Sequence, residues 1–166
     1  MPSKKLINKL NEQIKHEFFS AHYYLAMAAF CTEKSLDGFA NFFIAQAEEE
    51  RFHAMKFFDF LTEIGETPVI TGFDDPKRDF SSLEEVFQLS LEHEKLVTSL
   101  INDILEIAQE EKHHPTVSFL QWFVDEQVEE EDTMSQILDK IKMVGENSPG
   151  TLFLDGELGK RKFSAE

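Results

Sequence analysis

The stretch AQAEEERFHAM, residues 45–55, sets three glutamates and a histidine inside a run free of Gly and Pro, and the direction in which Glu50 and His53 point decides what is being built. On either side of it, Phe39, Phe43, Phe57, Leu61 and Ile64 recur at helical spacing as one apolar stripe. The gap between Phe43 and Phe57 is filled at heptad spacing by Gln46, Glu50 and His53. These three therefore lie on the core-facing side of a helix, while Glu48 and Arg51 face water and Glu49 lies at the edge.

The same interruption recurs along the chain. Leu6, Leu10, Glu17, Tyr24 and Ala28 share one stripe, with Glu17 in its middle; Leu83, Phe87, Leu91, Val97, Ile101 and Ile104 or Leu105 surround Glu94. A last stripe runs through Phe119, Phe123, Met134, Ile137 and Ile141 and is broken by Gln127 and Glu130. Four helices are predicted, over about residues 3–33, 36–64, 83–112 and 115–144. Gly65 and Gly145 act as stops, Pro115 stands in a first turn, and Ser81 or Ser82 caps a helix that starts with Glu84 and Glu85.

The connections set the topology. The breaks near residues 34–37 and 113–114 are short enough to make antiparallel neighbours. The link from Gly65 to Ser82 is long: some 17 residues reach about 55 Å, more than the roughly 45 Å of a 30-residue helix, so helices two and three can run parallel. The expected fold is all-α, a ferritin-like four-helix bundle with one long crossover. The segment SPGTLFLDGELGKRKF, residues 148–163, reads as a short C-terminal helix or a tail docked by its apolar residues. One domain is expected over 1–166, with the bundle at about 3–144 and the C-terminal segment at 146–166.

An offset of 77 residues relates the two halves. It carries Glu17 to Glu94, Glu49 to Glu126, Glu50 to Gln127 and His53 to Glu130, together with Leu10 to Phe87, Phe42 to Phe119 and Leu61 to Leu138. A duplicated helical hairpin would bring the polar positions to one level around an approximate two-fold axis. An isolated Glu-x-x-His on a helix is ordinarily a solvated or satisfied pair. Four carboxylates in one core are different, because without cations each costs several kcal/mol of desolvation or must be protonated. Two divalent cations neutralise Glu17, Glu50, Glu94 and Glu130. Oxygen-rich coordination with one imidazole suits iron or manganese better than structural zinc.

With HEF and the YY pair on the first helix (Glu17, Tyr24), AEEERFHA on the second, EHEK on the third (Glu94) and FVDEQVEEE on the fourth, the chain resembles the non-haem ferritins of bacteria and archaea across nearly its whole length. The resemblance implies a ferroxidase centre: one iron on Glu17, Glu50 and His53, a second on Glu50, Glu94 and Glu130 with Gln127 close by. It also implies a third iron position formed by Glu49, Glu126, Glu129 and Glu130. Fe(II) oxidation by dioxygen or hydrogen peroxide, and storage of ferric mineral in a hollow shell of twenty-four subunits, follow from the same resemblance. Bacterioferritins and rubrerythrins carry a second Glu-x-x-His where this chain has Gln127 and Glu130. The haem-binding methionine of bacterioferritins is replaced by Arg51, so no haem is expected, and a lone cysteine cannot supply the cysteine pairs of rubrerythrins.

Composition agrees. A formal charge of -16, from 32 acidic and 16 basic residues, repels nucleic acid and anionic lipid and gathers cations. The single Cys31 excludes an internal disulfide and suits a reducing compartment. MPSKKLINKL has no signal-peptide core, and YYLAMAAFC at 23–31 is too short to span a bilayer, so a cytoplasmic protein without a membrane partner is expected.

Weaker signals complete the reading. Tyr24, one heptad beyond Glu17, is placed to hydrogen-bond a ligand or supply an electron, against the plainer role of a core tyrosine. Trp122 is an oxidisable ring near the same level, or packing. Phe19, Tyr23, Met27 and Phe30 form a second stripe on the first helix that reads as a self-association face, with the crossover or C-terminal segment as alternative covers. His16, His22, His93, His113 and His114 read as surface residues. A di-metal redox enzyme acting on an organic substrate would use the same ligands, but little of the chain remains for a substrate cavity or reductase docking.

Overall fold

The computed structural model describes residues 1–165 and consists of five helices: α1 (Lys4–Glu33), α2 (Asp37–Glu63), α3 (Leu83–Glu110), α4 (His114–Val144) and α5 (Pro149–Leu158). Local chemistry sets their ends. Ser3 Oγ accepts from Leu6 N at 3.1 Å and Ser82 Oγ from Glu85 N at 3.0 Å, each satisfying a free amide of a first turn. Gly65 and Gly145 stop α2 and α4 with φ of 84° and 73°, backbone that residues with a Cβ adopt only under strain. His113 is the N-cap residue of α4 and its Nδ1 lies 2.7 Å from Thr116 Oγ1, so it belongs to the start of α4 as much as to the end of α3.

Cross-helix pairs give the topology. Ser3 with Glu111, Ser20 with His93 and Met27 with Ser90 run in opposite directions along α1 and α3. The three-residue turn after α1 makes α2 antiparallel to α1, and α2 is thus parallel to α3, as the long link allows. The crossover, residues 64–82, has no regular structure and climbs the outer face of α1: Val69 N donates to Asn11 Oδ1 at 2.7 Å, Phe73 packs on Phe19 at 5.7 Å, and Phe80 packs on Phe30 at 5.6 Å. This corrects one expectation. The Phe19, Tyr23, Met27, Phe30 stripe is covered by the chain's own crossover, with Met27 and Phe30 fully buried, and is not a free self-association face.

The core is divided. One apolar cluster gathers Tyr24, Met27, Phe39, Phe43, Phe87, Met134 and Ile137, and another gathers Leu6, Leu10, Phe57, Leu61, Ile101, Leu120 and Phe123. Between them lies a belt of buried polar side chains, Gln13, Glu17, Gln46, Glu50, His53, Glu94, Gln127 and Glu130, none more than 4% exposed. The apolar clusters fix the helices on both sides, and the belt is held where they leave it.

The segment after α4 is a helix. Ser148 and Thr151 cap α5 reciprocally, and α5 docks on the start of α2, where Phe39 N donates to Asp155 Oδ1 at 2.9 Å. Gly38 permits this approach, since a Cβ there would stand 1.7 Å from the Asp155 carbonyl oxygen. Gly38→Ala is expected to unseat α5 at a cost of about 1–3 kcal/mol, the usual scale of overpacking. Thermal denaturation with amide exchange at residues 149–158 checks it, and unchanged protection there would contradict the expectation.

Candidate metal centre

The belt groups into three sets of potential ligands, each with one ligand atom per residue within 4.8 Å of the others: Glu17, Glu50 and His53; Glu50, Glu94 and Glu130; and Glu49, His53, Glu126 and Glu130. Glu50 belongs to the first two. The first helix supplies Glu17, the second Glu49, Glu50 and His53, the third Glu94 and the fourth Glu126 and Glu130, so each of the four bundle helices contributes. Glu50 and His53, three residues apart, share a face of α2, and Glu49 reaches the adjoining edge.

Polar neighbours orient these groups. Gln13 Nε2 donates to Glu17 Oε1 at 3.1 Å, and Gln46 Nε2 donates both to Glu50 Oε1 at 3.1 Å and to Glu130 Oε2 at 2.7 Å. Tyr24 Oη donates to Glu94 Oε1, and Gln127 Nε2 donates to Glu94 Oε2 at 3.1 Å. Gln127 thus holds Glu94 through its amide nitrogen. His53 Nδ1 lies 3.3 Å from Glu50 Oε2 and 3.8 Å from Glu17 Oε2, while its Nε2 points the other way, 4.0 Å from Glu49 Oε1. One imidazole therefore faces two of the three sets.

Burial, with the charge of Glu94 next, pushes Glu50 well above the usual carboxylate range. Burial likewise raises Glu94 and Glu130 to about 7, against the hydrogen bonds from Tyr24 and Gln127 and from Gln46. Burial alone would lower His53, but the Glu50 charge and the hydrogen bonds of Glu17 and Glu50 outweigh it and raise the imidazole well above its ordinary value. Burial would raise Glu17 too, and there the His53 contact wins and holds the carboxyl low. Glu17 Oε2, His53 Nε2 and Gln46 Oε1 are buried without partners. Buried lone pairs without partners are costly, and a bound cation satisfies the carboxylate oxygens and Nε2. The donor set, carboxylates with one imidazole, fits iron.

At the third set, burial and then the Glu130 charge raise Glu49, against the hydrogen bond it shares with Glu126, while burial and the Glu49 contact lift Glu126 to about 7. Glu129 is exposed and outside that set, but it lines the same opening, a cavity of about 410 Å³ with Glu49, His53, Trp122, Glu126 and Arg161 on its walls. The Trp122 ring lies 5.4 Å from His53 and under Lys56 Nζ at 4.2 Å.

Sequence reasoning passed over Gln13, Arg161 and Thr98, whose hydroxyl accepts from Gln127 Nε2 at 3.2 Å. Gln13 had a signal, a polar residue four positions before Glu17 on the same stripe; Arg161, in the tail, had none. His93 was expected at the surface and is instead half-buried: its Nε2 lies 2.7 Å from Ser20 Oγ, Tyr23 and Phe19 flank it, and burial pushes its pKa down to about 4.

Comparison with known proteins agrees with this geometry. The profile of the ferritin family, a ferritin-like domain, matches residues 7–144. The chain is 44% identical over 166 residues to the bacterial non-heme ferritin of Staphylococcus aureus strain USA300, covering all of both chains, and 44% identical over 163 residues to that of Staphylococcus saprophyticus, covering 98% of each. Among solved structures it is similar to the open-pore ferritin of the hyperthermophilic archaeon Archaeoglobus fulgidus, with TM-score 0.96 and 40% identity over 98% of this chain and 99% of the other. A humanized archaeal ferritin gives TM-score 0.97 at 40% identity, covering 99% and 100%. With five helices, a long crossover, a belt of carboxylates about one histidine and these relatives over its full length, the chain belongs to the ferritin family, among its non-haem members.

Proposed function

We propose that this ferritin takes up Fe(II), oxidises it with dioxygen or hydrogen peroxide at a di-iron centre inside each subunit, and stores the ferric product in a hollow shell of twenty-four subunits. The observation that carries the reading is the sharing of Glu50 between the Glu17, Glu50, His53 set and the Glu50, Glu94, Glu130 set. Two ions on such sets are held side by side by one carboxylate, as shared reduction of one oxidant molecule requires.

Each residue has a task. Glu17 and His53 hold one Fe(II) and Glu94 and Glu130 the other, while Gln13, Gln46 and Gln127 keep the carboxylates turned toward the ions. Tyr24 stays protonated, since burial raises it far above its ordinary value, and steadies Glu94. Entry of the ions displaces protons from Glu50, Glu94 and Glu130. A pair of Fe(II) ions gives up two electrons, which with two protons reduce one dioxygen to hydrogen peroxide or one hydrogen peroxide to two waters. The carboxylates favour the more highly charged ferric product. Glu49, Glu126, Glu129 and Glu130 form a third position at the cavity mouth, through which iron leaves for the mineral.

Assembly is supported by apolar side chains left open on the single chain: Leu25, Leu96, Val128, Leu152 and Phe153 are each 47–69% exposed. Among the described residues no helix is long and apolar enough to cross a membrane, in keeping with action in the cytoplasm.

Fe(II) added in air to the metal-free protein is expected to co-elute with it as a large particle, far in excess of a few ions per chain. A small oligomer retaining only about two irons per chain would replace storage by a di-metal redox activity.

A further inference from the structure

The chain does not leave the bundle where α5 ends. Asn41 Nδ2 donates to the carbonyls of Leu158 at 3.4 Å, Gly159 at 3.3 Å and Arg161 at 2.9 Å, so one side chain of α2 clasps three carbonyls within residues 158–161 of the exit. Gly159 fits close against Gly38, and two residues past Arg161 the Phe163 ring packs on Phe52 at 5.6 Å. Between these anchors Arg161 lies along α2. Its guanidinium sits 4.5 Å from the centre of the Phe42 ring, Nη2 donates to Glu49 Oε2 at 2.6 Å, and Nη1 is buried without a partner. Arg161 and Glu49 are only 23% and 17% exposed, so the pair is not a mobile surface contact.

A cation carried by the chain thus stands on a ligand of the Glu49, His53, Glu126, Glu130 set, beside a His53 Nε2 that has no partner. Guanidinium is charged at every working pH and binds carboxylate strongly, but Arg161 engages only Glu49 of this set and leaves Nη1 without a partner, whereas a metal ion can draw on all four ligands at once. Its hold is enough to compete and too limited to block.

We propose that Arg161 is a specificity-determining residue: a built-in competitor at the third metal position that keeps occupancy there weak and brief, so that the Glu50-bridged pair fills first and the third ion passes on. The backbone of residues 159–163 stays clasped by Asn41 and Phe52, and only the Arg161 side chain swings away when an ion arrives. This rests on the metal reading of the preceding section.

The test is calorimetric titration of the metal-free protein with Zn(II), which undergoes no oxidation, in wild type, Arg161→Gln and Arg161→Lys. Two tight ions per chain are expected in all three. The third ion is expected to bind about tenfold tighter in Arg161→Gln than in wild type, the usual size of a lost charge pair at a partly buried site, with Arg161→Lys between them. Adding Glu49→Gln to Arg161→Gln removes the gain if it arises at this set. A third affinity unchanged or weakened in Arg161→Gln, with the tight pair intact, overturns the competitor alone. Absence of the tight pair in wild type overturns the metal reading and this proposal with it.

Discussion

Glu50→Ala is expected to lower the initial rate of Fe(II) oxidation by about a hundredfold or more while the helical bundle and its assembly survive. The size follows from position. Glu50 is the one residue common to the two sets that would hold the iron pair, so its loss takes a ligand from each ion and the bridge between them. The fold is expected to tolerate the change because Glu50 is 1% exposed, and burial and the Glu94 charge already hold its carboxyl far from its ordinary ionisation. Glu50→Gln separates charge from volume: it fills the space, still accepts from Gln46, and should be nearly as slow. Glu48→Ala, one helical step away on the exposed side, is the control and should oxidise iron at the wild-type rate. Stopped-flow absorbance of the ferric product, with size-exclusion chromatography of each variant, decides the matter. A Glu50→Ala protein of wild-type speed would move the chemistry elsewhere.

The metal-free protein is expected to lose stability as pH rises from about 5 to 8 and to regain it on binding divalent cations. Glu94 and Glu130 have folded pKa values of about 7 against an ordinary 4.5, so between those values the folded state holds protons that the unfolded state has released. Stability therefore falls as pH climbs through that window, and the loss is complete above the folded value. His53, raised by its carboxylate partners, acts in the same direction: its stabilisation is present below its ordinary 6.5 and lost as pH passes the folded value. Glu17 acts oppositely, but only below the ordinary carboxylate value. Glu94 and Glu130 repel each other and titrate as a pair, so the total is on the order of 3 kcal/mol, or roughly 10 °C in melting temperature for a domain of this size. Calorimetry of chelator-treated protein across that range checks the slope. The Glu94→Gln, Glu130→Gln double variant should flatten it, and a slope unchanged in that variant would assign the effect to the general acidic surface. Saturating Zn(II) should restore about 4 kcal/mol at a thousandfold excess over its dissociation constant, with protons released on binding.

The buried polar positions were legible because each violates a local rule. A glutamate in the middle of an apolar stripe has no cheap place in a core, and four such violations at matching levels of a repeated hairpin leave few alternatives to a cation. The helix ends were legible for a similar reason, since Ser82, Gly65, Pro115 and Gly145 each suit one kind of terminus. His93 was misread because nothing along α3 shows what covers it: its burial comes from Phe19, Ser20 and Tyr23 of α1 across the bundle. The aromatic stripe of Phe19 to Phe30 was misread because the residues that cover it, Phe73 and Phe80, lie in a segment with no periodicity to follow.

By itself the sequence determined the four long helices, a link long enough to let α2 and α3 run parallel, and the belt of carboxylates about His53, because 3.6-residue periodicity and the cost of burying charge are properties of the residues and their spacing. Tertiary structure alone decided that His53 faces two ligand sets at once, that Gln46 joins Glu50 to Glu130, and that Arg161 closes on Glu49 over a separation of 112 residues. Such contacts depend on where α5 docks and on which way a side chain turns once its helix is seated, and no pattern along the chain encodes either.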